Sequence, residues 1–171
     1  MKKILFVFGT RPEAIKMAPL VRIFNSNKKK YITQVVVTGQ HREMLDQVLD
    51  VFGIVPDYDL NLMSKNQTLE NLTGRIINSI SDIIREMKPH LIFVQGDTTT
   101  TFAAALAAFY QKIPVAHLEA GLRTQNMYSP FPEEINRRIT STIASYHFSP
   151  TDIARNNLIN EGIQKENIYV I

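Results

Sequence analysis

Short, uninterrupted apolar runs recur along the chain, and after each comes a segment whose apolar residues are spaced by three and four. That alternation constrains the fold more than any other feature. The first run, Ile4-Leu5-Phe6-Val7-Phe8, is closed by Gly9. No polar residue breaks it, so it reads as a strand buried on both faces, as in a parallel sheet covered by helices. In Thr10-Arg11-Pro12-Glu13, Thr10 and Glu13 stand at capping-box spacing and Pro12 suits a first helical turn. Ala14, Ile15, Ala18, Val21 and Phe24 then repeat at helical intervals. A lysine turn, 28–30, leads to a second strand over 31–38. Met44, Leu45, Val48, Leu49 and Phe52 mark one face of a helix stopped by Gly53.

The pattern holds to the last residue. Residues 54–67 carry a short strand-like stretch and a polar loop, and a long helix over 69–87 ends before Pro89. Further strands are expected over 91–94, 114–118, 146–148 and 168–171, and helices over 101–110, 133–145 and 151–160. Residues 121–132 read as an irregular loop. Strands joined by helices require right-handed crossovers, so the fold class is α/β with a doubly wound, mainly parallel, Rossmann-like sheet. With 171 residues and no internal linker, the chain reads as a single domain, 1–171. Ligands in such folds gather outside the carboxyl ends of the strands.

Composition removes several function classes. Cysteine is absent, which excludes disulfides, thiolate metal sites and cysteine nucleophiles and is compatible with the cytoplasm. No apolar run approaches the roughly 20 residues of a membrane span, and the apolar run after Met1-Lys2-Lys3 is too short for a signal peptide. The net charge of +3 rests on small clusters such as Lys28-Lys29-Lys30, which read as solvated turns. A nucleic-acid patch is the alternative, but no aromatic-rich strand, zinc spacing or helix-turn-helix accompanies it. Neither nucleic acid nor membrane is therefore expected as a partner.

The strand ends carry the chemistry. Gly9-Thr10-Arg11-Pro12 lacks the dinucleotide fingerprint, yet a helix start with its amides and the fixed cation of Arg11 suits a phosphate or diphosphate. Arg11 as a surface ion-pair partner and Lys16 as a solvated lysine are the plainer readings. Gln95-Gly96-Asp97 ends one strand, where Asp97 is either a helix cap or a functional acid. Glu119 stands at the same edge one strand later. Two carboxylates at neighbouring strand ends make a candidate acid–base pair, provided their surroundings separate their pKa values. His117 shares strand parity with Glu119 and is expected to point to the same side, as a packing histidine and not a metal ligand. His41, His90 and His147 have no convergent partners and read as structural or surface residues. Glu133 and Glu134 open a helix, where acids ordinarily complement the dipole; Glu133 is also placed to supply a third carboxylate.

Five strings in order carry a resemblance: Phe8 to Leu20, Thr38 to Leu45, Gly96 to Thr100, His117 to Thr124 and Pro132 to Arg137. Together they resemble the non-hydrolysing UDP-N-acetylglucosamine 2-epimerases over the whole chain. The resemblance implies an isomerase that interconverts UDP-N-acetylglucosamine and UDP-N-acetylmannosamine by eliminating UDP to a 2-acetamidoglucal and adding it back. It implies two Rossmann-like domains in a glycosyltransferase-B-like arrangement with the site between them, no cofactor, no catalytic metal, and a homodimer. Asp97, Glu119 and Glu133 match the family's acidic residues, and Arg11, Lys16 and Arg137 its substrate-binding residues. Gln40 and Gln67 match a regulatory second-nucleotide site, although Asn66 stands where the family often has a basic residue. On this reading the chain is the amino-terminal half, inactive alone, with the carboxyl-terminal nucleotide-binding domain absent. A hydrolysing epimerase, a nucleotide-sugar glycosyltransferase relative, and a binding or assembly module without turnover are the competing readings.

Overall fold

The computed structural model describes every residue except Gln40, His41, Met63 and Lys65, and every remaining side chain except that of Arg42. Seven strands lie among the described residues: β1 (Lys2–Phe8), β2 (Tyr31–Val37), β3 (Tyr58–Asp59), β4 (Leu91–Gln95), β5 (Val115–Leu118), β6 (Tyr146–Ser149) and β7 (Ile168–Val170). They form one sheet in the order β3-β2-β1-β4-β5-β6-β7, every pairing parallel. The connecting helices are α1 (Arg11–Ser26), α2 (Arg42–Phe52), α3 (Leu69–Met87), α4 (Thr99–Tyr110), α5 (Glu133–Ile143) and α6 (Asp152–Asn160). The doubly wound sheet expected from the apolar runs is the observed fold. No helix of the described residues is long and apolar enough to cross a membrane.

Burial in β1 explains its unbroken apolar run. Ile4, Phe6 and Phe8 enter a core with Ala14, Met17 and Val21 of α1 and Leu45 and Leu49 of α2. Leu5 and Val7 enter a second core with Ile76, Ile80 and Ile84 of α3 and the alanines of α4. A period-two strand with a core on each side has no solvated position to mark with a polar residue. Phe6 stacks on Phe93 with ring centroids 4.9 Å apart, and Phe24 meets Phe6 edge-on at 5.6 Å. Five alanines of α4 are wholly buried, so this helix approaches sheet and neighbouring helices closely.

Two helix ends lie two residues from expectation, beside one-residue differences elsewhere. Helix α4 starts two residues earlier, because Thr98 is the cap: its hydroxyl accepts from the Thr101 amide at 3.1 Å, drawing the next three threonines into the helix. Helix α5 ends at Ile143, where Ala144 turns extended to feed β6.

Strand order reverses between β1 and β4, and the loops after these two strands meet at the carboxyl edge. Gly9 is fixed by that meeting. A Cβ there would stand 2.2 Å from Thr38 Oγ1 and 2.7 Å from Thr100 Oγ1. Those two hydroxyls are themselves hydrogen-bonded at 2.9 Å, so the loops after β1 and β2 and the start of α4 pack with no spare volume.

Candidate active site

Glu119 follows the last residue of β5 with φ 64, the left-handed region that L side chains disfavour by roughly 1–2 kcal/mol. Its neighbours hold it there. The Ala120 amide donates to Phe148 O at 3.0 Å, and Gly121 lies so close to α6 that a Cβ would stand 2.2 Å from Ala154 O. The turn breaks strand alternation, so the expectation that His117 and Glu119 point to one side is overturned. His117 is buried within the molecule and donates Nε2–H to Gly96 O at 2.7 Å. Glu119 instead directs Oε2 to Lys16 Nζ and to Gln95 Nε2.

Asp97 stands at the neighbouring strand end. Because Thr98 caps α4, the Asp97 carboxylate is left for Arg137, whose guanidinium donates to Oδ2. Asn136 Nδ2 secures the Asp97 carbonyl at 2.9 Å. Burial raises the Asp97 pKa above the usual aspartate range. The Arg137 charge opposes that rise, while the negative fields of Glu133 and Glu119 add to it. The other two carboxylates expected from sequence are thus close enough for their charge to bear on Asp97.

A cavity of about 620 Å³ opens beside Glu119, lined by Lys16, Gln95, Leu118, Leu122 and Pro150 among others. Its size falls within the usual range for small-molecule sites, about 300–1,000 Å³. Lys16, expected on the nucleotide side, pairs with Glu119 at this cavity, and its side chain is 49% exposed. Arg11 is exposed at the start of α1. The expected cradle of free amides is smaller than the sequence suggests. Glu13 takes the Gly9 and Thr10 amides, the Glu13 amide is used by Thr10 Oγ1, and Pro12 has none. An anion there would rest on the Arg11 amide, its guanidinium and the helix dipole. Gln67 is not joined by hydrogen bonds to the carboxylate group: its Oε1 accepts from the Ser64 amide, and its buried Nε2 has no partner among the described residues. Gln40 lies outside the described residues.

Three residues have roles that the sequence reading did not give them. Gln95, almost fully buried at the end of β4, donates to Glu119; a polar residue closing an apolar strand is the signal that would have found it. Glu13 binds two loops together. Glu134, not Glu133, is the buried acid of α5: its side chain is wholly covered, and it accepts from Arg138 Nε at 2.9 Å and the Thr124 amide at 3.1 Å. Burial disfavours its charge, but these bonds hold its pKa below the ordinary value. Among the histidines, His147 is buried opposite His117 in strand register, and burial depresses both to about 4. His90 Nδ1 accepts from the Lys3 amide at 3.0 Å, and His41 lies outside the described residues. Among the described residues no group of three or more His, Asp or Glu is arranged to hold a metal ion.

A sequence profile of the UDP-N-acetylglucosamine 2-epimerase family matches residues 25–171. The UDP-N-acetylglucosamine 2-epimerase of Neisseria meningitidis serogroup A is 58% identical over 169 residues, covering 98% of this chain and 45% of that protein. The crystal structure of the Neisseria meningitidis enzyme bound to UDP-GlcNAc superimposes with a TM-score of 0.93 at 56% identity, over 98% of this chain and 46% of that one. The Methanocaldococcus jannaschii enzyme in complex with UDP-GlcNAc and UDP gives a TM-score of 0.92 at 39% identity, over 99% of this chain and 46% of that one. A lipopolysaccharide outer core galactosyltransferase, 12% identical with a TM-score of 0.66, shares the fold alone. The chain thus spans a little under half the length of the curated relatives it matches. With the profile covering most of its length and relatives this close in sequence, the chain belongs to the UDP-N-acetylglucosamine 2-epimerase family.

Proposed function

We propose that residues 1–171 form the amino-terminal domain of a UDP-N-acetylglucosamine 2-epimerase and supply one wall of its catalytic cleft, with UDP-N-acetylglucosamine and UDP as its ligands. The supporting observation is the contrast between two carboxylates on neighbouring strands. Glu119 Oε2 accepts from both the Lys16 ammonium and the Gln95 amide, so a cation stands directly on this carboxyl group. Asp97 is pushed toward its protonated form by burial and by the fields of Glu133 and Glu119, against the pull of Arg137. A base and an acid side by side suit proton removal at C2 of the sugar and proton return on the opposite face.

The C2 proton beside an acetamido group is weakly acidic, so its removal must accompany departure of UDP. In this reading Glu119 takes the proton, the C1–O bond breaks with its electrons leaving on UDP, and a 2-acetamidoglucal forms. UDP then adds back at C1 while Asp97 delivers a proton to the other face of C2, and the two acids exchange roles in the reverse direction. Arg11 and the α1 dipole stabilise the departing diphosphate, Arg137 orients Asp97, and Glu133 adjusts its charge. The same reading carries a cytoplasmic homodimer and, at Gln40 and Gln67, a regulatory nucleotide contact.

NMR of the complete protein containing this chain, incubated with UDP-N-acetylglucosamine in deuterated water, tests the proposal. The expected product is UDP-N-acetylmannosamine carrying deuterium at C2. Asp97→Asn and Glu119→Gln should each lower turnover by about 100-fold or more, in line with general acid–base contributions. Release of UDP with free N-acetylmannosamine would replace this reading by a hydrolysing one, and binding without product by a module without turnover.

A further inference from the structure

Glu13 is an acid that the proposed chemistry does not use, yet it is 2% exposed and both its oxygens are saturated. Oε2 accepts from the Gly9 amide at 3.0 Å and the Thr10 amide at 2.7 Å. Oε1 accepts from Thr98 Oγ1 at 2.8 Å and Thr101 Oγ1 at 3.2 Å. A capping box needs only the first of these halves. The second half reaches across 85 residues of sequence to the threonines that follow Asp97. The single Thr101 hydroxyl proton is shared between Glu13 Oε1 and Gln95 O, the latter at 2.6 Å, which continues the link into the strand end that supports Glu119.

We propose that Glu13 is a positioning residue, a buried clamp that fixes the loop after β1, carrying Arg11 and leading into Lys16, against the loop after β4, carrying Asp97. Each group under its control is one to three residues away: Arg11 follows Thr10, Lys16 lies one turn beyond Glu13, and Asp97 precedes Thr98. The ladder between β1 and β4 pairs Ile4–Phe6 with Leu91–Phe93 and stops short of both loops, and the Glu13 side chain joins them beyond its end. Misplacement of a reacting group by about 1 Å costs on the order of 100-fold in rate. The inference rests on the epimerase reading, because it concerns the groups that reading employs.

Reach and charge make opposite demands on variants, which allows a decision. Glu13→Gln keeps the length; its oxygen can serve the two amides while its NH₂ faces the threonine hydroxyls, which rotate to accept. Glu13→Asp keeps the charge but shortens the arm by one methylene and cannot hold both loops. In the complete protein, Glu13→Gln is expected within about fivefold of wild-type kcat. Glu13→Asp should lose about 100-fold in kcat, with KM for UDP-N-acetylglucosamine within about threefold. Its pH–rate profile should also shift, because Asp97 moves relative to Arg137 and Glu119, while that of Glu13→Gln stays in place. A Thr98→Ser exchange, which keeps the hydroxyl, should stay near wild type, whereas Thr98→Val should follow Glu13→Asp. If Glu13→Asp outperforms Glu13→Gln, or if rates merely track the fraction folded at unchanged pH profile, the clamp is refuted. A wild type without epimerase activity would overturn the functional reading as well; an active wild type with unaffected Glu13→Asp would overturn this inference alone.

Discussion

Glu119 joins a proposed catalytic role and backbone strain at one residue. Its carboxylate faces Lys16 and Gln95 only because its backbone sits at φ 64, so the geometry that serves the site opposes local stability. Alanine cannot relieve this and glycine can. Glu119→Gly is therefore expected to be more stable than Glu119→Ala by about 1 kcal/mol, the reverse of the ordinary ranking, although both lack the carboxylate. Loss of the Lys16 pair contributes little to the comparison, since Lys16 is half exposed and both variants lose it equally. Denaturant unfolding of the two variants side by side reads the difference, and an alanine variant of equal or greater stability would contradict the strain argument.

The layer where α5 meets β5 and β6 is polar where a core would ordinarily be apolar. His117, His147, Asn136, Thr140 and Ser141 are all buried there, and Arg123 reaches Ser141 Oγ at 3.2 Å while pairing with Glu161 at 2.6 Å. Both histidines are held neutral, with pKa values of about 4 against an unperturbed 6.5, chiefly through burial. The unfolded chain thus binds more protons than the folded chain between these values, so stability falls as pH drops from 6.5 toward 4. For His117 the loss is on the order of 3 kcal/mol, at about 1.36 kcal/mol per pKa unit. Glu13 and Asp97, raised by burial, act in the opposite sense: their contributions are lost as pH rises through their folded values. The difference between wild type and His117→Gln isolates the histidine: the variant should lose less stability on acidification from pH 7 to 4.5. Parallel stability curves would contradict the assignment.

The same elements show what sequence can and cannot disclose. Apolar runs buried on two faces, such as 4–8 and 92–94, are legible because no register brings water to them. Thr10 and Glu13 are legible as a cap, since capping is a local event. The second pair of bonds made by Glu13 is not, because it depends on which loops the strand order brings together. Asp97 and Glu119 were legible as neighbours at one edge, but the direction of Glu119 was not. Strand parity ends at Leu118, and no residue type at 119 announces a left-handed turn.

At the scale of the whole molecule, the question is what residues 1–171 can do by themselves. Two cores on either side of a seven-stranded sheet give this polypeptide the means to fold alone. Catalysis asks for something else. Under the proposed epimerisation, removing a weakly acidic C2 proton requires a site from which water is excluded, so that fixed charges act at full strength. In this chain the Glu119 side chain is 27% exposed and its Lys16 partner 49%, and the relatives that carry out the reaction are about twice as long. The polypeptide 1–171 is therefore expected to unfold cooperatively on heating yet show no measurable epimerisation. Joined to the remaining part of the Neisseria meningitidis relative, it should regain turnover, because its own portion is 58% identical to the one it replaces. Circular dichroism and product NMR on both polypeptides check the pair of statements. Robust epimerisation by 1–171 alone would show that these residues suffice and would remove solvent exclusion from the argument.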